Sequence, residues 1–119
     1  MAEIGIGVIG AGYMGKAHSV AMSAVGAVFN TSLRPRLEMI CTTTPDGAAQ
    51  KALAYGFAHS TSDWKILVEN PQVGAIVIAS PQETHREIAL AAFALGKPVL
   101  CEKPLGESLA DSRVMVQAA

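Results

Sequence analysis

The chain has 119 residues, 50% of them hydrophobic and only 16% charged, which is the length of one domain and the composition of a packed one; disorder is excluded. Nine basic and ten acidic residues leave a formal net charge of -1 and form no basic stripe, so nucleic acid is not an expected partner. The apolar stretches at 74–79 and 88–95 fall short of the roughly 20 residues a membrane-spanning helix needs, and no basic region precedes the apolar N-terminus, so neither a membrane span nor a signal peptide is expected. Cys41 and Cys101 have no metal-ligand spacing, so no metal site is expected and the chain reads as cytoplasmic. So few charges on a domain of this size hint at a face that something covers.

In chain order, residues 3–9 are short and rich in β-branched side chains, then break into Gly10-Ala11-Gly12-Tyr13-Met14-Gly15 before small and apolar residues continue as a helix. Residues 26–36 read as a long irregular connection. A second strand is predicted at 37–41, then a helix at 47–55 closing on Gly56. A weak strand at 57–60 and a helix from Asp63-Trp64 follow, and 74–79 is an unbroken Ala/Ile/Val run, the pattern of a strand buried on both faces. Ser80-Pro81-Gln82-Glu83 reads as an N-cap serine, a first-turn proline and an acid three residues after the cap, opening a helix to Leu95. Residues 99–101 form a last short strand, and Ser108 with Asp111 opens a helix still running at Ala119, so the end reads as a cut. Strands alternating with helices predict an α/β fold over 1–119: a doubly wound, Rossmann-type parallel sheet with strand order 3-2-1-4-5. Cys41 and Cys101 then end strands too far apart for a disulfide.

Gly10-x-Gly12-x-x-Gly15 directly after a strand and opening a helix is the context of a dinucleotide-binding turn. The first glycine makes the turn, the second admits the pyrophosphate and the third lets helix and strand pack closely, while free N–H groups at the helix start hold phosphate. An NAD site usually ends its second strand with an acid that bonds the ribose hydroxyls; here the strand runs into Thr42-Thr43-Thr44, and Glu38 lies at its wrong end. Nothing acidic repels a 2′-phosphate and no arginine embraces one, so the choice between NAD and NADP tips only slightly to NADP. Thr42 and Thr43 read equally well as contacts to the adenosine ribose and as plain strand-end and turn residues.

With the glycine turn, Ser80-Pro81-Gln82-x-x-His85 and Cys101-Glu102-Lys103-Pro104 in order, the chain resembles the family of glucose-fructose oxidoreductase, inositol dehydrogenase and MocA, specifically its N-terminal NAD(P)-binding domain. The resemblance runs from Ile4 to the final helix and implies an NAD(P)-dependent oxidoreductase acting on CH-OH groups of sugars, polyols and related small molecules. It also implies a second α/β domain, absent here, that supplies an acid/base histidine and most of the substrate pocket, and a parent that is a homo-oligomer. The fragment alone is therefore expected to bind cofactor without turnover. Lys103 is implied to lie beside the nicotinamide as the catalytic proton donor or acceptor, and His85 is implied as a second catalytic or cofactor contact. Gly10, Ala11, Gly12, Tyr13, Met14, Gly15, Thr42, Thr43, Ser80, Pro81, His85, Glu102 and Lys103 are the expected cofactor-binding residues. His18 reads as packing. Two rivals stand beside this reading: a non-catalytic dinucleotide sensor, which has no use for such a lysine, and an α/β domain whose glycine turn holds another phosphate ligand.

Overall fold

A computed structural model describes residues 2–119. Its strands are β1 (Ala2–Ile9), β2 (Leu33–Cys41), β3 (His59–Thr61), β4 (Ala75–Ile78) and β5 (Val99–Cys101). They alternate with α1 (Tyr13–Phe29), α2 (Pro45–Tyr55), α3 (Trp64–Glu69), α4 (His85–Ala94) and α5 (Leu109–Ala118), and a 3-10 turn, Gln82–Thr84, leads into α4. All four strand pairings are parallel and the order is β3-β2-β1-β4-β5, the doubly wound topology expected from the sequence. No described helix is long and apolar enough to cross a membrane.

The central strands are apolar on both faces because both faces are covered. Ile6, Val8 and Val77 pack with Leu37, Ile40, Ala52 and Phe57 on the side of α1 and α2. The alternate residues Ile9, Ile76 and Ile78 pack with Leu67, Val68, Ile88 and Ala92 on the side of α3 and α4. Three of the five helices start at a side-chain cap: the Thr44 hydroxyl accepts from the Gly47 N–H at 3.1 Å, an Asp63 carboxylate oxygen from the Lys65 N–H at 3.0 Å, and the Ser108 hydroxyl from the Asp111 N–H at 3.1 Å.

Three local expectations are corrected. The long connection at 26–36 does not exist: α1 runs to Phe29, Asn30 closes it with φ 50°, and β2 already begins at Leu33. Arg34, Pro35 and Arg36 interrupt the apolar pattern there, yet they are tolerated because only β1 pairs with that part of β2; β3 joins at Met39. The weak third strand lies slightly later, at His59–Thr61, and Phe57 is a core residue ahead of it. Ser80 does not cap α4. Its hydroxyl bonds the Thr84 hydroxyl at 2.7 Å, Thr84 in turn donates to the Pro81 carbonyl at 2.7 Å, and the segment turns once as a 3-10 helix before α4 starts at His85.

The strands end together. Thr61, Cys41, Ile9, Ile78 and Cys101 form one row across the sheet. Three strand steps of about 4.8 Å separate Cys41 from Cys101, roughly 14 Å between Cα atoms against a limit near 7 Å for a disulfide, and both thiols are free. Burial, with Asp63 adding to it, pushes the Cys41 thiol up to about 11, and burial with Glu102 does the same to Cys101, also to about 11. Both cysteines are therefore expected to titrate as free thiols in denaturant but to react slowly with alkylating reagents in the native chain at pH 7.5. Rapid native-state labelling of either one contradicts this burial.

Candidate functional site

The residue that follows each strand end lies on the carboxyl edge of the sheet, the edge where open α/β sheets take ligands. Backbone bonds carry the pairing one residue further at four of these ends: Gly10 N–H to Cys41 O at 2.9 Å, Thr42 N–H to Thr61 O at 3.2 Å, Ala79 N–H to Ile9 O at 2.8 Å and Glu102 N–H to Ile78 O at 2.9 Å. The glycine turn, the threonine run, the Ser80 turn and the Lys103 loop thus emerge side by side from a rigid frame.

In the glycine turn the three glycines answer to different demands. Gly10 has φ +100°, and a Cβ there would lie 2.5 Å from the Ala79 carbonyl oxygen. A Cβ on Gly15 would lie 2.0 Å from the Gly10 carbonyl oxygen. Both are required by the protein itself. Gly12 is not: its φ is -73°, and a Cβ there meets nothing within 4 Å. The space above Gly12 is open, and no side chain caps α1, whose first turn has no acidic residue. This end of the helix is a free anion-binding N-terminus, flanked by exposed Tyr13 and half-exposed Met14. The Tyr55 hydroxyl donates to the Ala11 carbonyl at 3.3 Å and fixes the turn from the α2 side.

Beside it, Thr42 and Thr44 are already engaged: the Thr42 hydroxyl donates to the Thr44 carbonyl at 3.0 Å, and Thr44 caps α2. Thr43 is exposed. Glu38 lies inside the sheet at a β-bulge of β2, between Arg36 at 3.1 Å and His59 at 3.7 Å, well back from the ligand edge.

The Lys103 loop is held from two sides. Towards α4, the Gln82 side-chain amide donates to the Gly106 carbonyl at 2.7 Å, and beyond the loop Arg86 of α4 pairs with Asp111 of α5 at 2.8 Å. His85 sits between them, 1% exposed. Its Nε2 lies 2.8 Å from the Ser80 carbonyl oxygen, and its Nδ1 lies 3.0 and 3.1 Å from those of Pro104 and Leu105. The expectation of a ligand-facing His85 does not match this burial: both ring nitrogens are turned to backbone carbonyls, and the ring ties the Ser80 turn to the loop. Towards α1, the His18 Nε2–H donates to Glu102 Oε1 at 2.8 Å, so His18 is not mere packing. That bond holds the Glu102 carboxyl below its ordinary value. The tie is thus complete at neutral pH and is lost as the pH falls through the lowered value. Lys103 itself is exposed, and among the described residues its ammonium has no hydrogen-bond or ion-pair partner.

The turn residues 10–15, Ser80, Pro81, Glu102 and Lys103 are thus gathered on one edge, with Thr43 beside them and His85 beneath. His18, Tyr55 and Gln82 were not singled out from sequence as site residues. Gln82 lay within a recognised motif, whereas His18 meets a partner 84 residues away that no local pattern announces. No group of His, Cys, Asp and Glu among the described residues is arranged to hold a metal. The edge does fit a dinucleotide: an open glycine and an uncapped helix for phosphate, and an unpaired ammonium further along.

The model of the oxidoreductase family with an NAD-binding Rossmann fold, GFO_IDH_MocA, matches residues 4–119. Levoglucosan dehydrogenase of Pseudarthrobacter phenanthrenivorans is 40% identical over 119 residues, covering 99% of this chain and 30% of that protein. Inositol 2-dehydrogenase of Acidothermus cellulolyticus is 35% identical over 120 residues, covering 98% of this chain and 32% of that protein. Among solved structures, levoglucosan dehydrogenase in complex with NADH and levoglucosan superposes with a TM-score of 0.94 at 38% identity, over 98% of this chain and 32% of that one. The chain spans about a third of the length of the relatives it matches.

Proposed function

The chain belongs to the GFO_IDH_MocA family of oxidoreductases and is its NAD-binding Rossmann domain, and from that premise we propose that it is the cofactor-binding part of a dehydrogenase for a sugar, polyol or related alcohol. The observation that carries the reading is the open space at Gly12 on the same sheet edge as the unpaired Lys103. When bound, a nicotinamide dinucleotide supplies the hydride acceptor or donor. In this reading, Gly12 and the first-turn N–H groups of α1 hold the pyrophosphate, and Tyr13 and Met14 cover it. Thr43 faces the adenosine ribose at the end of β2. Ser80, Pro81 and Glu102 line the nicotinamide half, and Lys103 Nζ gives or takes the proton of the reacting hydroxyl. His85 stays buried and serves the loop rather than the chemistry. The substrate pocket is completed by a further domain of the same enzyme, which works as a homo-oligomer.

Cofactor choice rests on the threonine run. No acid at that strand end excludes a 2′-phosphate and no arginine binds one, while NADH is the dinucleotide held by the solved levoglucosan dehydrogenase complexes. Titration of the chain with NADH and NADPH, followed by nicotinamide fluorescence and calorimetry, is expected to show both binding, with affinities within about tenfold of each other. Failure of both to bind contradicts the cofactor reading, and a much larger preference for either one contradicts the permissive threonines.

A further inference from the structure

We propose that His18 is a positioning residue that couples the phosphate-holding helix to the Lys103 loop, acting through Glu102. The inference rests on the dinucleotide reading above and concerns how its two halves are kept in register.

The topology makes such a tie necessary. α1 grows out of the glycine turn after β1, whereas Lys103 follows β5, and β4 lies between those two strands. The glycine turn and the Lys103 loop are therefore not neighbours in the sheet. On its α4 side the loop is secured by Gln82 and His85, which fix it to the start of α4 and its entry turn. None of these contacts sets the distance from Lys103 to α1. Among the described residues, the hydrogen bond from His18 Nε2 to Glu102 is the one polar side-chain contact that joins α1 to residues 102–106. It is partly buried, with 20% and 21% of the two side chains exposed, and it seizes the residue directly before Lys103.

A dinucleotide spanning this edge has its adenosine half over the β2 side and its nicotinamide half over the β4 and β5 side. Loss of the tie leaves the first half untouched and lets the loop swing about its α4 anchors. A ligand that uses both ends feels this, and one that stops at the second phosphate and its ribose does not.

The test uses the 119-residue chain with His18→Leu, which removes the donor, and His18→Gln, which keeps one on a side chain of similar reach. NADH and ADP-ribose are titrated into each. For His18→Leu the NADH affinity is expected to fall about tenfold, the scale of one charge-assisted hydrogen bond, with loss of the rise in nicotinamide emission and ADP-ribose affinity held within about twofold. His18→Gln is expected to recover most of the NADH affinity. In the unliganded chain, His18→Leu is expected to raise amide exchange at Lys103, Leu105 and Gly106 while the strands stay protected. Equal losses for both ligands, an unchanged NADH affinity, or unchanged exchange in the loop each overturn the proposal. A wild-type chain that binds neither ligand overturns the dinucleotide reading instead, and the exchange result then still decides the mechanical tie.

Discussion

Replacing Lys103 by methionine in the complete oxidoreductase is expected to lower kcat by about a hundredfold to ten-thousandfold, the range for removing a general acid or base, while NADH affinity changes by no more than about fivefold. The separation follows from how the loop is built. Everything that shapes it is supplied by other residues: Glu102 through His18, Pro104 and Leu105 through His85, and Gly106 through Gln82. The Lys103 side chain is exposed and contributes no bond of its own to that frame. Methionine keeps the unbranched apolar stem and lacks only the terminal ammonium, so the loop and the thermal midpoint are expected to stay as they are. An interaction made only with the reacting oxygen in the transition state lowers kcat and kcat/KM together and leaves ground-state binding alone. Steady-state kinetics with a fluorescence titration of NADH read both quantities on the same variant. An unchanged kcat removes Lys103 from the chemistry. A large loss of NADH affinity with little change in kcat makes it a cofactor anchor instead.

The fold was legible in the sequence because its signals are local. An apolar run such as Ile76-Val77-Ile78 has only one comfortable place, a strand covered on both sides, and Asp63, Ser108 and Gly56 mark helix ends by their own chemistry, whereas the helix expected from residue 47 starts two residues earlier, at Pro45, under a Thr44 cap. The errors sit where tertiary context overrides pattern. Arg34-Pro35-Arg36 looks like loop, and becomes strand because β1 alone borders it. Ser80 looks like a cap, and instead bonds Thr84 in a turn that His85 pins from below. The site divides in the same way. The glycines and the lysine stand in recognisable local frames. The roles of His18 and His85 depend on partners 84 and about 20 residues away, and only the closed sheet brings those together.

Gly12→Ala and Gly15→Ala are expected to separate what the ligand demands from what the fold demands. At Gly15 the added methyl would lie 2.0 Å from a backbone oxygen and 2.8 Å from a backbone carbon of Gly10, atoms that cannot move without opening the turn. That variant is expected to lose about 3 kcal/mol or more, seen as a thermal midpoint about 10 °C or more below wild type. At Gly12 the backbone angle suits alanine and the methyl meets no protein atom, so stability is expected to stay within about 1 kcal/mol, the loss of a good N-cap residue being offset by a less flexible unfolded chain. The methyl does occupy the place where a pyrophosphate would approach the backbone. NADH affinity is therefore expected to fall by roughly tenfold to a hundredfold, the scale of one methyl forced against a rigid contact. Thermal melts and NADH titrations on both variants read the two effects side by side. A Gly12→Ala chain that melts like wild type and still binds NADH like wild type places the phosphates elsewhere on the edge, because a rigid turn with an open face has no other reason to refuse a side chain there.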